Sequence, residues 1–240
     1  MKIGLAVPCY IDAFFPEAAR ATLELLERLG HEVSYPLDQT CCGQPMTNSG
    51  CNDDAAGAEA LFIKNFSRFD AVVMPSGSCV SHIRHKFDAV PQTDEVTRVR
   101  SSTYELVEFL HDVAPAREFP WAEFPHRVGL HTSCSALRSL KLETPVSKSM
   151  ALLSLVKGIQ FSEPKRPDEC CGFGGTFSVT EEAVSVKMGQ DKVTDHCAAG
   201  AEYIISSDSS CLMHQRGCAE RMGLPVKFRH IAEILNGARA

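Results

Sequence analysis

Two short segments, Cys41-Cys42-Gly43 and Cys170-Cys171-Gly172, each place a pair of adjacent thiols in front of a glycine. Adjacent side chains diverge on a regular strand or helix, so both thiols can face one object only where the backbone coils tightly. Glycine permits the positive φ angles of such a coil. The second segment continues as Phe173-Gly174-Gly175, which adds two more glycines. Because thiolates bind zinc and iron–sulfur clusters, the paired segments predict metal sites.

Each segment lies between two further cysteines at similar spacings. In the first half 31 residues separate the preceding cysteine from the pair, and 36 separate the pair from the following cysteine. In the second half the corresponding numbers are 35 and 39. Structural zinc sites favour ligands two to four residues apart, whereas adjacent thiolates can bind different metal atoms of one cluster. We therefore expect an iron–sulfur cluster, in preference to zinc or no metal, in at least one half. The two predicted ligand sets are Cys9, Cys41, Cys42 and Cys79, and Cys134, Cys170, Cys171 and Cys211.

The composition limits the class of protein. The chain has 240 residues and a net charge of −6, and its hydrophobic and charged fractions of 44% and 22% are typical of globular proteins. The acidic balance argues against a nucleic-acid partner. We find neither an export signal nor an apolar stretch long enough to span a bilayer. Eleven cysteines without an export signal favour metal binding over disulfides, so we expect a cytoplasmic protein.

The chain contains an internal duplication. The glycine, leucine and cysteine of the segment 3–9 recur 125 positions later in the segment 128–134. In both halves short apolar strands alternate with helices, and cysteines follow the strands, which favours parallel sheets with ligands at the strand carboxyl ends. We expect an α/β fold of two duplicated Rossmann-like halves, related by pseudo-two-fold symmetry. The expected domains are residues 1–113 and 126–240, joined by a proline-rich segment.

The doubled pattern resembles the CCG cysteine-rich domain family, which includes the cysteine-rich subunit of heterodisulfide reductase and the iron–sulfur subunit of glycolate oxidase. The segments 41–45, 48–50 and 170–178 resemble those of the lactate utilisation protein A family. This resemblance implies an iron–sulfur electron-transfer subunit of an L-lactate dehydrogenase complex, which oxidises L-lactate to pyruvate. It implies two partners, a ferredoxin-like iron–sulfur subunit and a third lactate-utilisation subunit. We expect part of an oxidoreductase rather than a complete enzyme.

The chain departs from one member of this family in a specific way. The cysteine-rich subunit of heterodisulfide reductase has a Cys-x-x-Cys pair where this chain has Ser76 and Asp208 in place of the first cysteine. The resemblance therefore implies four thiolates per site and an ordinary [4Fe–4S] cluster, one or two per chain, rather than a noncubane cluster with disulfide-cleaving chemistry. Asp208 is expected to be a turn or helix-cap residue in preference to an oxygen ligand.

Other residues that could contribute chemistry are histidines. His82 and His214 each lie three residues after the last cysteine of a set. They are candidates for hydrogen bonds to cluster sulfur or for acid–base catalysis, or they simply pack under the loop. His131 is expected to be a hydrogen-bonded residue at a strand end in preference to a base. The three cysteines outside the repeat are expected to be small buried hydrophobic residues: Cys51, Cys197 and Cys218.

Two further functions remain open from the sequence alone. The sequence contains no nucleotide-binding glycine motif, because Phe177 occupies the last glycine position after Gly172, so removal of hydride from lactate would need a cofactor elsewhere. L-Lactate is then expected to bind at the complex. One alternative is a metal-free or zinc-stabilised scaffold for partner oxidoreductases. Another is a thiol–disulfide redox protein that uses the adjacent cysteines directly.

Overall fold

A computed structural model describes residues 1–237, which divide into two compact units. The first unit is Met1–Pro115, and the second begins at Ala116. Each unit contains its own four-stranded sheet and its own set of four cysteines. In the described part of the chain, no helix combines the length and the apolar composition that crossing a membrane requires.

The first unit alternates strands and helices. Its strands are β1 (Lys2–Leu5), β2 (Glu32–Ser34), β3 (Ala71–Met74) and β4 (Thr103–Glu105). Its helices are α1 (Cys9–Phe14), α2 (Pro16–Arg28), α3 (Gln44–Asn48), α4 (Ala56–Phe66), α5 (Gly77–Lys86), α6 (Asp94–Ser101) and α7 (Leu106–Glu108). A 3-10 turn precedes α4 and a π-helical turn follows α7.

The second unit repeats this arrangement. Its strands are β5 (Arg127–Leu130), β6 (Gln160–Ser162), β7 (Tyr203–Ser206) and β8 (Lys227–His230). Its helices are α8 (Lys148–Leu153), α9 (Phe177–Thr180), α10 (Glu182–Ala198), α11 (Ser209–Arg221) and α12 (Ile231–Leu235). A π-helical turn follows Cys134.

Both sheets are parallel and have the same strand order. The order is β2-β1-β3-β4 in the first unit and β6-β5-β7-β8 in the second. Gly4 of β1 lies opposite Val72, and Gly129 of β5 lies opposite Ile204, so the two registers also agree. The expectation of two duplicated α/β halves with parallel sheets is confirmed.

The composition of the central strands explains this architecture. All four residues of β3 and all four of β7 are buried, as is required when helices cover both faces of a parallel sheet. In α2 the buried residues Ala18, Leu25 and Leu26 share one face of an amphipathic helix. Pro16 stands in the first turn of α2, where its missing N–H costs no hydrogen bond.

The strand order determines where the cysteines lie. In each unit the first cysteine follows the central strand, the adjacent pair follows one neighbouring strand, and the last cysteine follows the other neighbour. Carboxyl ends of adjacent parallel strands meet at one edge of a sheet. The topology therefore brings three cysteine-bearing segments together in each unit.

Several local expectations differ from the structure. The edge strands β4 and β8 were not expected, because they are only three and four residues long and contain polar residues. Thr180, which is followed by two glutamates in the sequence, is typical of the N-cap of a helix, here one that ends at Gly200. That expectation is wrong, since Thr180 ends α9 and α10 begins after Glu181.

Candidate metal centres

In the first unit the four predicted ligands form a continuous group of thiols. Cys9 begins α1, the adjacent pair lies in the loop after β2, and Cys79 lies in the first turn of α5. The sulfur atoms of Cys9 and Cys41 are 3.9 Å apart. The buried Cys42 thiol contacts both Cys41 and Cys79. The group thus runs Cys9–Cys41–Cys42–Cys79.

The second unit forms the same group in the same order. Cys170 contacts Cys134 on one side and Cys171 on the other, and Cys171 in turn contacts Cys211. Cys171 and Cys211 are buried, whereas Cys134 is exposed. The structure therefore brings together every cysteine of both predicted sets, and their role as ligands stays a prediction.

The glycine after each cysteine pair gives the loop its conformation. Gly43 and Gly172 both have a φ of 90°, in the left-handed region that L side chains rarely adopt. Their backbone N–H groups donate to the sulfurs of Cys41 and Cys170, in each case at 3.4 Å. A Cβ at Gly172 would lie 2.6 Å from the carbonyl oxygen of Ser185. Glycine is therefore required here for both backbone conformation and space.

In the first unit a glutamine fixes the cysteine loop to the sheet. The Gln39 side chain accepts from the N–H of Val7 and donates to the carbonyl of Leu5, both at 2.9 Å. It thereby extends the hydrogen bonding of β1 into the loop that carries Cys41. The Asn65 amide of α4 also donates to the carbonyl of Asp38.

In the second unit charged residues of α10 hold the corresponding loop. The Asp195 carboxylate accepts from the N–H groups of Lys165 and Arg166, at 3.1 and 2.8 Å. The Lys192 ammonium group donates to the carbonyls of Arg166 and Pro167, at 2.6 and 3.1 Å. Lys192 is fully buried, and burial lowers its pKa, which the nearby carboxylates partly oppose. Sequence reasoning missed this lysine.

The thiols influence one another's protonation. Hydrogen bonds from neighbouring thiols lower the pKa of Cys41 and of Cys170 well below the usual range. The same hydrogen bonds, together with burial, raise the pKa of their neighbours Cys42 and Cys171. One thiolate per group is therefore favoured, because further negative charges at this distance repel one another. A bound cation would remove that repulsion and allow all four to ionise.

The donor atoms fit an iron–sulfur cluster. Four thiols from three loops, with an adjacent pair in the middle, match the four-cysteine sets that hold such clusters. The residues that would hold it are the two predicted ligand sets. The N–H groups of the tight glycine turns are directed at sulfur, and such hydrogen bonds also set the reduction potential of a bound cluster.

The two histidines singled out from the sequence lie in different environments. His82 is buried below the first cysteine loop, and a Cβ at Gly43 would lie 3.6 Å from its Nε2. Burial lowers its pKa to about 4, and neither ring nitrogen has a partner of normal hydrogen-bond geometry within residues 1–237. His214 instead has its Nε2 3.0 Å from the carbonyl oxygen of Ser185, and its ring lies beside Phe173. A catalytic role for either histidine stays a prediction.

His131 was expected to be hydrogen-bonded through its side chain, and this is wrong. Its ring is buried, and neither ring nitrogen has a hydrogen-bond partner among the residues described. Burial lowers its pKa to about 3, so the ring is neutral at physiological pH. The ring lies next to Cys171 and Cys211. Its position three residues before Cys134 was visible in the sequence, but its distance from the other thiols was not.

A second buried histidine of the same unit packs near His131. The His196 ring fills the space above Gly129, where an added Cβ would lie 2.3 Å from Nδ1. Its ring nitrogens also lack partners in the part of the chain that the structure covers. In the first unit the equivalent Gly4 is instead covered by the rings of Phe66 and Phe69.

Ser76 and Asp208 occupy the positions before α5 and α11. The Ser76 hydroxyl accepts from the N–H of Cys79 at 3.5 Å and caps its helix. Asp208 is buried, and its carboxylate accepts a hydrogen bond from the Ser210 hydroxyl. The Asp208 side chain makes no capping bond to the backbone of α11.

The remaining cysteines follow the sequence expectation in two cases out of three. Cys218 is buried in an apolar cluster, and the half-buried Cys197 packs against it. Cys51 is exposed, so the expectation that it is a buried hydrophobic residue is wrong. It precedes a 3-10 turn at the surface rather than a helix that faces the core.

Comparison with known proteins identifies the family. A family model described as a cysteine-rich domain, CCG, matches residues 3–84 and again residues 128–216. Lactate utilization protein A of Bacillus subtilis (strain 168) is 42% identical over 240 residues, which cover 98% of this chain and 99% of that protein. The chain belongs to the lactate utilization protein A family. Another member, from Geobacillus thermodenitrificans (strain NG80-2), is 41% identical over 241 residues with the same coverage.

The solved structures agree on the fold. A hypothetical protein from Helicobacter pylori matches 98% of this chain with a TM-score of 0.64 and 8% sequence identity. This chain spans about half of that protein, or 48% of its length. At such low identity the likeness shows the fold alone.

Replacement of Gly172 by alanine is expected to disrupt the second cysteine loop. A Cβ at a φ of 90° costs about 1–2 kcal/mol, and the contact with Ser185 adds to that cost. We expect a lower urea midpoint and weaker metal binding by the second unit. Gly217→Ala is the matched control, because a Cβ there meets no atom within 4 Å and alanine favours a helix. Equal stability of the two variants would contradict this account of the loop.

Replacement of Lys192 by methionine tests the buried anchor of the same loop. Loss of the ammonium group leaves the carbonyls of Arg166 and Pro167 without this donor, which is expected to lower the free energy of unfolding by about 1–3 kcal/mol. Lys187→Met removes an exposed ion pair of the same helix and should change it by less than about 0.5 kcal/mol. Urea unfolding of both variants, with hydrogen exchange in the loop, makes the comparison. Similar effects of the two changes would refute the anchoring role.

Proposed function

We propose that this chain is an iron–sulfur electron-transfer subunit of a system that oxidises L-lactate to pyruvate. The observation that carries the proposal is the gathering of four thiols at one sheet edge in each unit. The lactate assignment is supported by relatives named lactate utilization protein A, which match this chain over nearly its whole length.

The residues of each unit would hold the cluster and control its surroundings. When bound, a [4Fe–4S] cluster accepts and donates one electron at a time. Cys42 and Cys171 lie in the buried part of each group, where their bonds to a metal would be shielded from water. Cys9 and Cys134 are exposed and would give a partner protein access to each centre. Oxidation of lactate to pyruvate releases two electrons and two protons, and two such centres can hold both electrons.

Removal of hydrogen from lactate is assigned to a partner. The chain has no recognisable nucleotide-binding motif, and hydride abstraction from a 2-hydroxy acid needs an organic cofactor. We propose a ferredoxin-like iron–sulfur subunit and a third lactate-utilisation subunit as partners, with L-lactate bound at the complex. Free thiols throughout the described chain are compatible with a reducing cytoplasm, which is the proposed location.

Metal analysis after anaerobic reconstitution with iron and sulfide tests this function. We expect about four iron atoms and four sulfides for each cluster bound. The double variant Cys170→Ser/Cys171→Ser should lose the iron of the second unit and keep that of the first. Cys197→Ser, which alters a half-buried thiol outside the site, should keep all of it. Less than one cluster per chain would rule out the proposal, and an unchanged content in the double variant would rule out a cluster in the second unit.

The same preparation distinguishes the alternatives. A zinc-stabilised scaffold predicts tightly bound zinc and no sulfide in the purified protein. A thiol–disulfide protein predicts a reducible bond within Cys41–Cys42 or Cys170–Cys171 at a defined potential. Lactate-dependent reduction of the reconstituted chain in the presence of its partners would support electron transfer over both.

A further inference from the structure

One histidine sets the second thiol group apart from the first. The backbone N–H of His131 donates to Ile205 at 2.8 Å, and the N–H of Ala6 donates to Val73 at 2.9 Å, so the two residues occupy equivalent positions. At this position the first unit has a methyl group and the second has an imidazole. The second site therefore has a nitrogen donor that the first site lacks.

The position of this imidazole is that of a ligand. A ring nitrogen of His131 and the sulfurs of Cys171 and Cys211 all lie within 4.8 Å of one another. Within residues 1–237 this is the one such group of three potential metal ligands. All three side chains are buried, with His131 only 1% exposed. Ligands of a single metal ion, at about 2.0–2.3 Å from it, lie at separations compatible with this arrangement.

The ring has no other role among the described contacts. A buried imidazole without hydrogen bonds destabilises the fold, because its lost hydration is not replaced unless a bound group uses its lone pair. His196 in the same unit is also buried and without partners, but it packs against Gly129 and does not belong to the ligand group. A histidine of this unit can therefore be buried without hydrogen-bond partners and still lie outside the ligand group, as His196 does.

We propose that His131 is a nitrogen ligand of the metal centre in the second unit, beside Cys171 and Cys211. This assignment rests on the proposal that the thiol groups bind metal. Iron and zinc both accept mixed thiolate and imidazole ligands. A neutral imidazole adds a ligand without adding negative charge. The second centre would then have a different potential and spectrum from the first.

The test uses Co²⁺ as a metal probe, so that it does not depend on cluster assembly. The full chain carries Cys9→Ser and Cys42→Ser, which remove two thiols of the first unit, and Co²⁺ binding then reports on the second. A ligated imidazole gives a strongly shifted, exchangeable N–H resonance in the proton spectrum of the cobalt protein. We expect this resonance in the parent, and in His131→Ala we expect its loss and a Kd at least about tenfold higher, the minimum effect of removing a group that supports a ligand.

Two further variants make the result decisive. His196→Ala removes the other buried imidazole of the unit and should keep both the resonance and the affinity. His131→Cys should restore the affinity without the resonance, even if the alanine variant folds poorly. Persistence of the resonance in His131→Ala, or equal weakening by His196→Ala, overturns the assignment.

The outcome is separable from the proposed function. Iron and sulfide bound normally, with no effect of His131→Ala on the cobalt signal, would refute the histidine ligand alone. If the cobalt experiment gives the expected result but no cluster forms on reconstitution, the iron–sulfur function alone is refuted.

Discussion

The constraint on which each unit depends is the crowding of four thiols at the carboxyl edge of one sheet. Sulfur atoms at contact distance, such as Cys9 and Cys41 at 3.9 Å, cannot all ionise without a counter-charge. Hydrogen bonds between the neighbouring thiols lower the pKa of Cys41 and raise the pKa of Cys42. A backbone N–H group donates a hydrogen bond to the sulfur that ionises most readily. The residue that carries this N–H is a glycine, whose positive φ permits the tight turn.

Much of this arrangement could be predicted from the sequence. The apolar run before Cys9 and the one before Ser76 indicate buried parallel strands, and parallel strands deliver their following residues to one edge. The internal repeat then predicts a second site. The remainder depends on contacts between segments far apart in the chain. Lys192 lies in the middle of a helix whose sequence is otherwise ordinary, and only the fold brings its ammonium group to the loop 166–167.

The two units differ most in the buried layer behind the cysteines. Phe62 and Phe66 lie one turn apart on α4 and are in contact, with ring centroids 4.6 Å apart and the rings tilted by 41°. On α10 the residues that are one turn apart and face inward are Lys192 and His196. Phenylalanines in such a place contribute apolar burial, whereas a buried lysine costs desolvation that its two carbonyl partners and nearby carboxylates must offset. The two units therefore share a backbone arrangement but differ in this buried layer, where α4 contributes phenylalanines and α10 contributes a charged residue.

This exchange has an electrostatic consequence for whatever the thiols bind. A buried ammonium group near Cys171 favours additional negative charge there, because the interaction is screened less than it would be in water. An iron–sulfur centre becomes more negative when it accepts an electron, so a fixed positive charge stabilises its reduced form. The first unit has aromatic rings in the corresponding layer and provides no such charge from α4. The buried lysine would therefore favour reduction of a metal centre in the second unit over one in the first.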